Sequence, residues 1–226
     1  MQPVLAFDVY GTLIDTQGVT VELERRLKDT SQALEFAKRW REKQLEYSFR
    51  RGLMGAYVPF SDCTREALVF TNRALQAGLS DNDHDHLMAV YTELPAFPDV
   101  VPALDQLSDA GIRCVAFSNG TSDAVNQLLS RAGVQHHMDA VVSVDDIKRF
   151  KPDPAVYAYL RSQLEARPEN TWLISSNAFD VIGATQAGLR SVWVRRQSDA
   201  PFDPWGGEPD MTVSDLTAFS ERLLSR

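Results

Sequence analysis

The sequence predicts an α/β fold: a doubly wound parallel sheet, Rossmann-like in layout, with an inserted helical cap subdomain. Three observations predict it. The apolar run "VLAFDVY" at residues 4–10 is closed by "GT" and reads as a buried strand. Residues 16–95 hold few β-branched runs and many Leu, Ala, Arg, Glu and Gln, the composition of packed helices. From about residue 97 short apolar strands alternate with helical stretches, which calls for parallel strands joined by helical crossovers. The first strand belongs with that alternation, although about eighty residues intervene. The expected division is an α/β core, 1–15 plus 96–226, and a helical cap, 16–95.

The elements follow in order. Within the cap, "ALEFAKRWREKQLEYSFRRGLM" has helical periodicity. "SDCTREALVFTNRALQAG" opens on a capping serine and ends at glycine, and "SDNDHDHLMAVYTEL" follows the same logic. In the core, "DVVPALDQLSDAG" reads as helix, "IRCVAFS" as strand, "TSDAVNQLLSRAG" as helix and "AVVSV" as a short strand. "DPAVYAYLRSQL" is a helix, "TWLIS" a strand, "AFDVIGATQAG" a helix and "SVWVRR" a strand. A loop rich in Pro and Gly, residues 197–209, leads to "MTV" and the helix "SDLTAFSERLL". There is no repeat and no low-complexity tract.

Bulk properties narrow the function classes. The 226 residues are 44% hydrophobic, enough for one substantial core with a small insertion. The formal net charge is −8 and no basic stripe occurs, which argues against nucleic acid as a partner. Cys63 and Cys114 are too few and too far apart for a disulfide framework. Residues 1–15 lack a cationic start and carry Gly and Asp, so no signal peptide is expected there. No apolar run approaches the ~20 residues of a membrane helix. The expectation is a cytoplasmic protein acting on a small molecule, without nucleic acid or membrane as partner.

In open α/β sheets ligands bind beyond the carboxyl ends of the strands. Asp8, Val9, Tyr10, Gly11 and Thr12 close the first strand, and Ser118, Asn119 and Gly120 follow the second. Lys151 stands in "DDIKRFKPDP" after the third. Ser175, Ser176, Asn177, Phe179 and Asp180 follow the fourth. Polar residues at one strand end are ordinarily solvated loop or helix cap. Four loops that bring a carboxylate, a lysine, hydroxyls, amides and a second carboxylate to one rim make a candidate site.

These residues resemble the haloacid dehalogenase-like hydrolases, through "FDVYGTLID", the Ser-Asn after the second core strand, the Lys-Pro and "SSNAFD". Most members of that superfamily are similar to magnesium phosphatases, with Asp-x-Asp as first motif and Gly-Asp-x-x-x-Asp as last. This chain departs from them at two positions: Tyr10 replaces the second aspartate and Ser176 the first acid of the last motif. Two carboxylates suit Mg²⁺ poorly, and the leaving group has no acid to protonate it. A halide departs without a proton, so both departures fit chemistry at carbon.

The resemblance narrows to the type II (S)-2-haloacid dehalogenases, also called L-2-haloacid dehalogenases. "WREKQLEYSFRRGLM" looks like their cap helix, matching even at Gln44, Glu46 and Met54. The resemblance implies roles. Asp8 is the nucleophile, giving an ester intermediate and inverting the α-carbon. Thr12 and Lys151 hold Asp8. Arg41, Asn119 and Phe179 cradle the departing halide. Ser118 and the backbone N–H groups near Val9 and Tyr10 bind the substrate carboxylate. Tyr10, Leu45, Phe60 and Phe179 wall the pocket around the α-substituent, and Tyr157 counts among the substrate-binding residues. Ser175, Asn177, Lys151 and Asp180 position the second-step water, with Asp180 as its base. Some relatives carry Trp at the position of Phe179, so this chain keeps the ring and lacks the indole N–H.

The implied reaction needs no metal and no cofactor, and a homodimer is expected from relatives. Fluoroacetate or azetidine-2-carboxylate hydrolysis on the same machinery, phosphatase activity and a purely binding role stay open as alternatives. His84 and His86 in "DNDHDH" lie two apart on a helix start and share no face, so the segment reads as an acidic, solvated N-terminus. His136 and His137 have no assigned role.

Overall fold

The computed structural model describes residues 3–225. The chain divides into two compact units, one running to Ile14 and resuming at Ala96, the other Asp15–Pro95.

The first strand, β1 (Val4–Asp8), is buried along its whole length. The Asp15–Pro95 unit follows. It contains α1 (Thr20–Leu27), α2 (Thr30–Met54), α3 (Phe60–Ala74) and α4 (Asp81–Tyr91). Its core gathers Leu23, Phe36, Trp40, Leu68 and Leu87, with the Trp40 ring 5.3 Å from that of Tyr91. The start of α2 is earlier than its apolar periodicity suggests, because Asp29 accepts from the Gln32 N–H and caps the helix at Thr30. Ser61 is not a cap: α3 begins at Phe60, two residues sooner than a Ser61 cap would set it, with Pro59 at φ −52° preceding it. Ser80 and Asp83 form a reciprocal capping box on α4. His84, expected in a solvated segment, is instead buried, with its Nε2 2.9 Å from Asn72 Nδ2.

The other unit resumes with α5 (Val100–Asp109), β2 (Arg113–Ser118), α6 (Ser122–Arg131) and β3 (Ala140–Ser143). It continues through α7 (Pro154–Leu164), β4 (Thr171–Ser175), α8 (Ala178–Gln186), β5 (Arg190–Val194), β6 (Met211–Val213) and α9 (Leu216–Leu224). The six strands form one sheet, ordered β3-β2-β1-β4-β5-β6, and every pairing is parallel. Both faces are covered, so the strands read as apolar runs rather than as alternation. Phe7 of β1 meets Phe219 of α9 edge-on at 6.4 Å, and α5 packs on α9. On the other face Val4, Ala6, Val115 and Phe117 join Val156, Tyr157, Leu160 and Ala184 of α7 and α8 in one buried cluster.

The strand order reverses direction at β1. The chain goes outward from β1 to β2 and β3, then returns to β4 on the other side of β1. The crevice beyond the carboxyl ends of β1 and β4 is therefore the topological switch point, the place where such sheets bind ligands.

Candidate active site

Asp8 is the last residue of β1, the strand at the switch point. A tight turn follows. The Val9 carbonyl accepts from the N–H groups of Leu13 and Ile14, each at 3.0 Å, and Gly11 takes φ 88°, a conformation that disfavours side chains. The turn sends Thr12 back toward the strand, and its Oγ1 donates to Asp8 Oδ2 at 2.9 Å.

Two further loops converge on the same carboxylate. Lys151 Nζ donates to Asp8 Oδ1 at 3.0 Å, to Asp180 Oδ2 at 2.7 Å and to the Phe117 carbonyl at 2.9 Å. An ammonium has three donors, so all are satisfied although the residue is only 1% exposed. The Phe117 ring lies 4.1 Å below the same nitrogen. From the loop after β4, Asn177 Nδ2 donates to Asp8 Oδ2 at 2.7 Å and Ser175 Oγ at 3.2 Å. Asp8 is thus held by one cation and three neutral donors.

Asp180, in the first turn of α8, is fully buried. Its Oδ1 accepts from the Tyr157 hydroxyl at 2.8 Å and its Oδ2 from Lys151. Burial raises its carboxyl to about 6; Asp8 adds to the rise, and Lys151 and Tyr157 oppose it. Burial, with Asp180 beside it, pushes the Tyr157 phenol well above its ordinary value, so it remains a proton-bearing donor. Tyr157, grouped above with the substrate contacts, is placed behind Asp180 with its ring in the core.

Ser118 and Asn119 close β2 beside this cluster. Ser118 Oγ accepts from the Gly120 N–H, and Asn119 Oδ1 accepts from the Lys151 N–H at 2.9 Å. The second bond fixes which end of the Asn119 amide is spent and leaves its NH₂ group for an anion. Tyr10 stands against this loop: a Cβ on Gly120 would lie 3.3 Å from its ring and hydroxyl. Phe179 is half-buried on α8 beside Asp180.

Arg41, Leu45 and Phe60 belong to the Asp15–Pro95 unit. Arg41 and Leu45 are half-buried on α2, and Phe60 is buried at the start of α3. Arg41 Nη1 donates to Gln44 Oε1 at 2.6 Å. Gln44 in turn donates to Thr64 Oγ1 at 2.5 Å and accepts from the Tyr91 hydroxyl at 3.1 Å. Gln44 thus ties Arg41 to Thr64 and Tyr91.

Sequence reasoning misses the ties that hold the loops to one another. Ser176 reads only as a lost acid. In the structure its Oγ donates to the Gly11 carbonyl at 2.6 Å, and its N–H donates to Thr12 Oγ1 at 2.8 Å, joining the first loop to the last. Trp193 Nε1 donates to the Ser176 carbonyl at 3.2 Å. Arg196 donates to the Thr12 carbonyl and to Asp99 Oδ1, both at 2.6 Å.

These residues do not fit a magnesium ion. Both oxygens of Asp180 already have donors, and Ser176 spends its hydroxyl on a carbonyl. Mg²⁺ asks for near-octahedral oxygen ligands around one point. Among the described residues no three or more of His, Cys, Asp and Glu stand together as metal ligands. Burial raises the thiols of Cys63, to about 11, and Cys114, to about 12, so neither offers a thiolate near neutral pH.

A family model described as haloacid dehalogenase-like hydrolase matches residues 3–188. The chain is 34% identical over 221 residues to the (S)-2-haloacid dehalogenase of Pseudomonas putida, covering 98% of this chain and 96% of that protein. It is 33% identical over 214 residues to haloacetate dehalogenase H-2 of Moraxella sp. (strain B), covering 95% and 94%. The structure of L-2-haloacid dehalogenase from Xanthobacter autotrophicus with chloropropionic acid covalently bound matches with a TM-score of 0.90 and 32% identity, over 99% of each chain.

Proposed function

Because this chain belongs to the haloacid dehalogenase-like hydrolases, we propose that it hydrolyses short L-2-haloalkanoic acids to D-2-hydroxyalkanoic acids through an ester on Asp8. The observation that carries the reading is the state of the Asp8 carboxylate. It stands at the switch point, paired with Lys151, and has a tyrosine two residues on where a phosphatase keeps its acid.

In the first step an Asp8 oxygen attacks the α-carbon from the side opposite the halogen. The carbon–halogen bond breaks, the halide leaves with the electron pair, and the carbon inverts. Lys151, Thr12, Ser175 and Asn177 hold the carboxylate in line. Ser118 and the backbone N–H groups near Val9 and Tyr10 take the substrate carboxylate, since hydroxyls and amides at a strand end suit an anion. Arg41, the Asn119 amide and the edge of Phe179 receive the halide, as donors aimed at developing negative charge. Tyr10, Leu45 and Phe60 enclose the α-substituent.

In the second step water attacks the Asp8 carbonyl carbon; the acyl–oxygen bond then breaks, the alkoxide takes the remaining proton of the added hydroxyl, and Asp8 returns as its carboxylate. Asp180 accepts the water proton, using lone pairs not taken by Lys151 and Tyr157. Ester formation removes the charge of Asp8, one of the causes that hold the Asp180 carboxyl up. Asp180 is thereby ionised when the water must be activated. None of these steps requires a metal or cofactor.

The Moraxella relative adds a second substrate reading, haloacetate, in which the α-carbon carries no substituent. Azetidine-2-carboxylate, with a ring nitrogen in place of halide, uses the same two steps. We propose a cytoplasmic location, which the free, buried Cys63 and Cys114 suit, and a homodimer as expected from relatives.

The test is halide release from L- and D-2-chloropropionate in EDTA, with Asp8→Asn as control. Release from the L form alone, abolished in the variant, is expected. Release from neither enantiomer would remove this substrate class and turn attention to haloacetates, azetidine-2-carboxylate and, with Mg²⁺, phosphate esters.

A further inference from the structure

Asp180 depends on the neighbouring helix as much as on its own. The Tyr157 hydroxyl comes from α7, reaches Asp180 Oδ1 at 2.8 Å and lies 3.2 Å from the Asp180 carbonyl. To get there the phenol must lie flush on α8. The residue beneath it is Gly183, three positions after Asp180. A Cβ on Gly183 would stand 2.6 Å from Cε2 and Cζ of Tyr157, and closer still to the hydroxyl oxygen. Real Cβ atoms essentially never come within 3.0 Å of a neighbour. The ring cannot yield, because it is fully buried and packs edge-on to Phe117 at 6.0 Å.

Nothing in the backbone asks for glycine here. Gly183 lies inside α8 and is not among the glycines with positive φ. A glycine inside a helix destabilises it relative to alanine. The close approach of the phenol is the reason left.

We infer that Gly183 is a positioning residue for the ester-hydrolysis step: its missing side chain admits the Tyr157 hydroxyl to Asp180, and the hydroxyl aims that carboxylate at water. This rests on the proposed role of Asp180. A hydrogen bond to the charged form favours ionisation, whereas burial alone favours the acid. A methyl group at position 183 would push the ring away. Asp180 would then lose one of its two donors, keep its proton to higher pH and be free to turn.

The test is Gly183→Ala. It is expected to lower kcat about ten- to hundredfold, the effect of one hydrogen bond to a charged group. kcat/KM should hold within about threefold, because alkylation of Asp8 comes first and does not use Asp180 as base. The acid limb of kcat should move to higher pH, and mass spectrometry should show ester accumulating on the protein. Tyr157→Phe should show the same signs. Melting supplies a readout that does not need turnover. Gly183→Ala should lower Tm in the parent chain and raise it in Tyr157→Leu, where alanine's better helix propensity is unopposed. A Gly183→Ala variant that melts no lower than the parent and turns over at the parent rate would overturn the inference. Should the parent release no halide from any 2-haloacid, the proposed activity fails by itself, and the melting cycle decides the Gly183–Tyr157 contact.

Discussion

Lys151 Nζ lies 2.7 Å from Asp180 Oδ2, with both side chains out of solvent, and the same ammonium reaches Asp8 at 3.0 Å. One cation thus serves two carboxylates, one proposed as nucleophile and one as base. Lys151→Met would leave both acids buried and facing each other. Removing one partner of a buried ion pair costs about 3–5 kcal/mol. The variant should lose about that much at pH 7.5 and less at pH 5, where protons can replace the lysine. It should also lose at least about a hundredfold in halide release. Denaturant unfolding at the two pH values measures the first effect. An equal loss at both would mean that the lysine contributes packing alone.

The pH dependence of turnover follows from Asp180. Burial raises its carboxyl from 3.8 to about 6. The fold therefore favours the protonated form, and this group's contribution to stability is full below 3.8 and lost as pH rises through about 6. Catalysis runs the other way, since a base must be ionised. The ester has lost the Asp8 charge that helps to hold this value up, so ester hydrolysis should slow as pH falls below about 6, while halide release in the first turnover changes less. Rapid-quench measurement should then find a burst of halide below pH 6 and none at pH 8. Turnover that is flat across this window, with no burst, would take Asp180 out of the role of base.

Gln44 links Arg41 to the interior of α2 and α3. It is 1% exposed, and its amide joins Arg41, Thr64 and Tyr91. Gln44→Leu keeps the bulk and removes these bonds, so the unit should lose about 1–3 kcal/mol. If Arg41 receives the halide, releasing it should also reduce kcat/KM by about tenfold. The informative comparison is the double variant. In an Arg41→Ala background Gln44→Leu should cost nothing further in kcat/KM, because the residue it positions is gone. Additive losses would show that Gln44 acts on activity by another route.

The sequence makes the sheet and its rim legible for physical reasons that do not need coordinates. Apolar runs that end in Asp8, Ser118 and Ser175 announce buried parallel strands, and parallel sheets put their ligand crevice at those ends. Asp8, Lys151, Asn177 and Asp180 could be grouped on that ground before their distances were known. Spacings between elements are not legible. Gly183 and Tyr157 are twenty-six positions apart, and only the packing of α7 on α8 makes one the space for the other. Ser61 looks like a helix cap because serine prefers that position, yet the helix starts two residues earlier, after Pro59. Nothing in "SVWVRR" says that the Arg196 guanidinium bonds the Thr12 carbonyl.

Ser176 gives the sharpest test of why this chain lacks the phosphatase acid. Its hydroxyl donates to the Gly11 carbonyl at 2.6 Å, and its N–H holds Thr12 Oγ1 at 2.8 Å. Ser176→Asp would set carboxylate oxygens against that carbonyl, acceptor on acceptor, and disturb the threonine that donates to Asp8. The variant should lose about 1–3 kcal/mol. Its halide release should fall, because Thr12 no longer aligns the nucleophile. It should not become a phosphatase, since Tyr10 stands where a carboxylic acid would protonate the alkoxide leaving group. Melting curves with and without Mg²⁺, halide release from L-2-chloropropionate and phosphate release from an alkyl phosphate check the three in turn. A rise in the variant's Tm on adding Mg²⁺ would mean that serine alone keeps the metal out. The donors on Asp180 would then count for nothing in excluding it, and the reading of Tyr10 as the second half of the departure would have to rest on the leaving group alone.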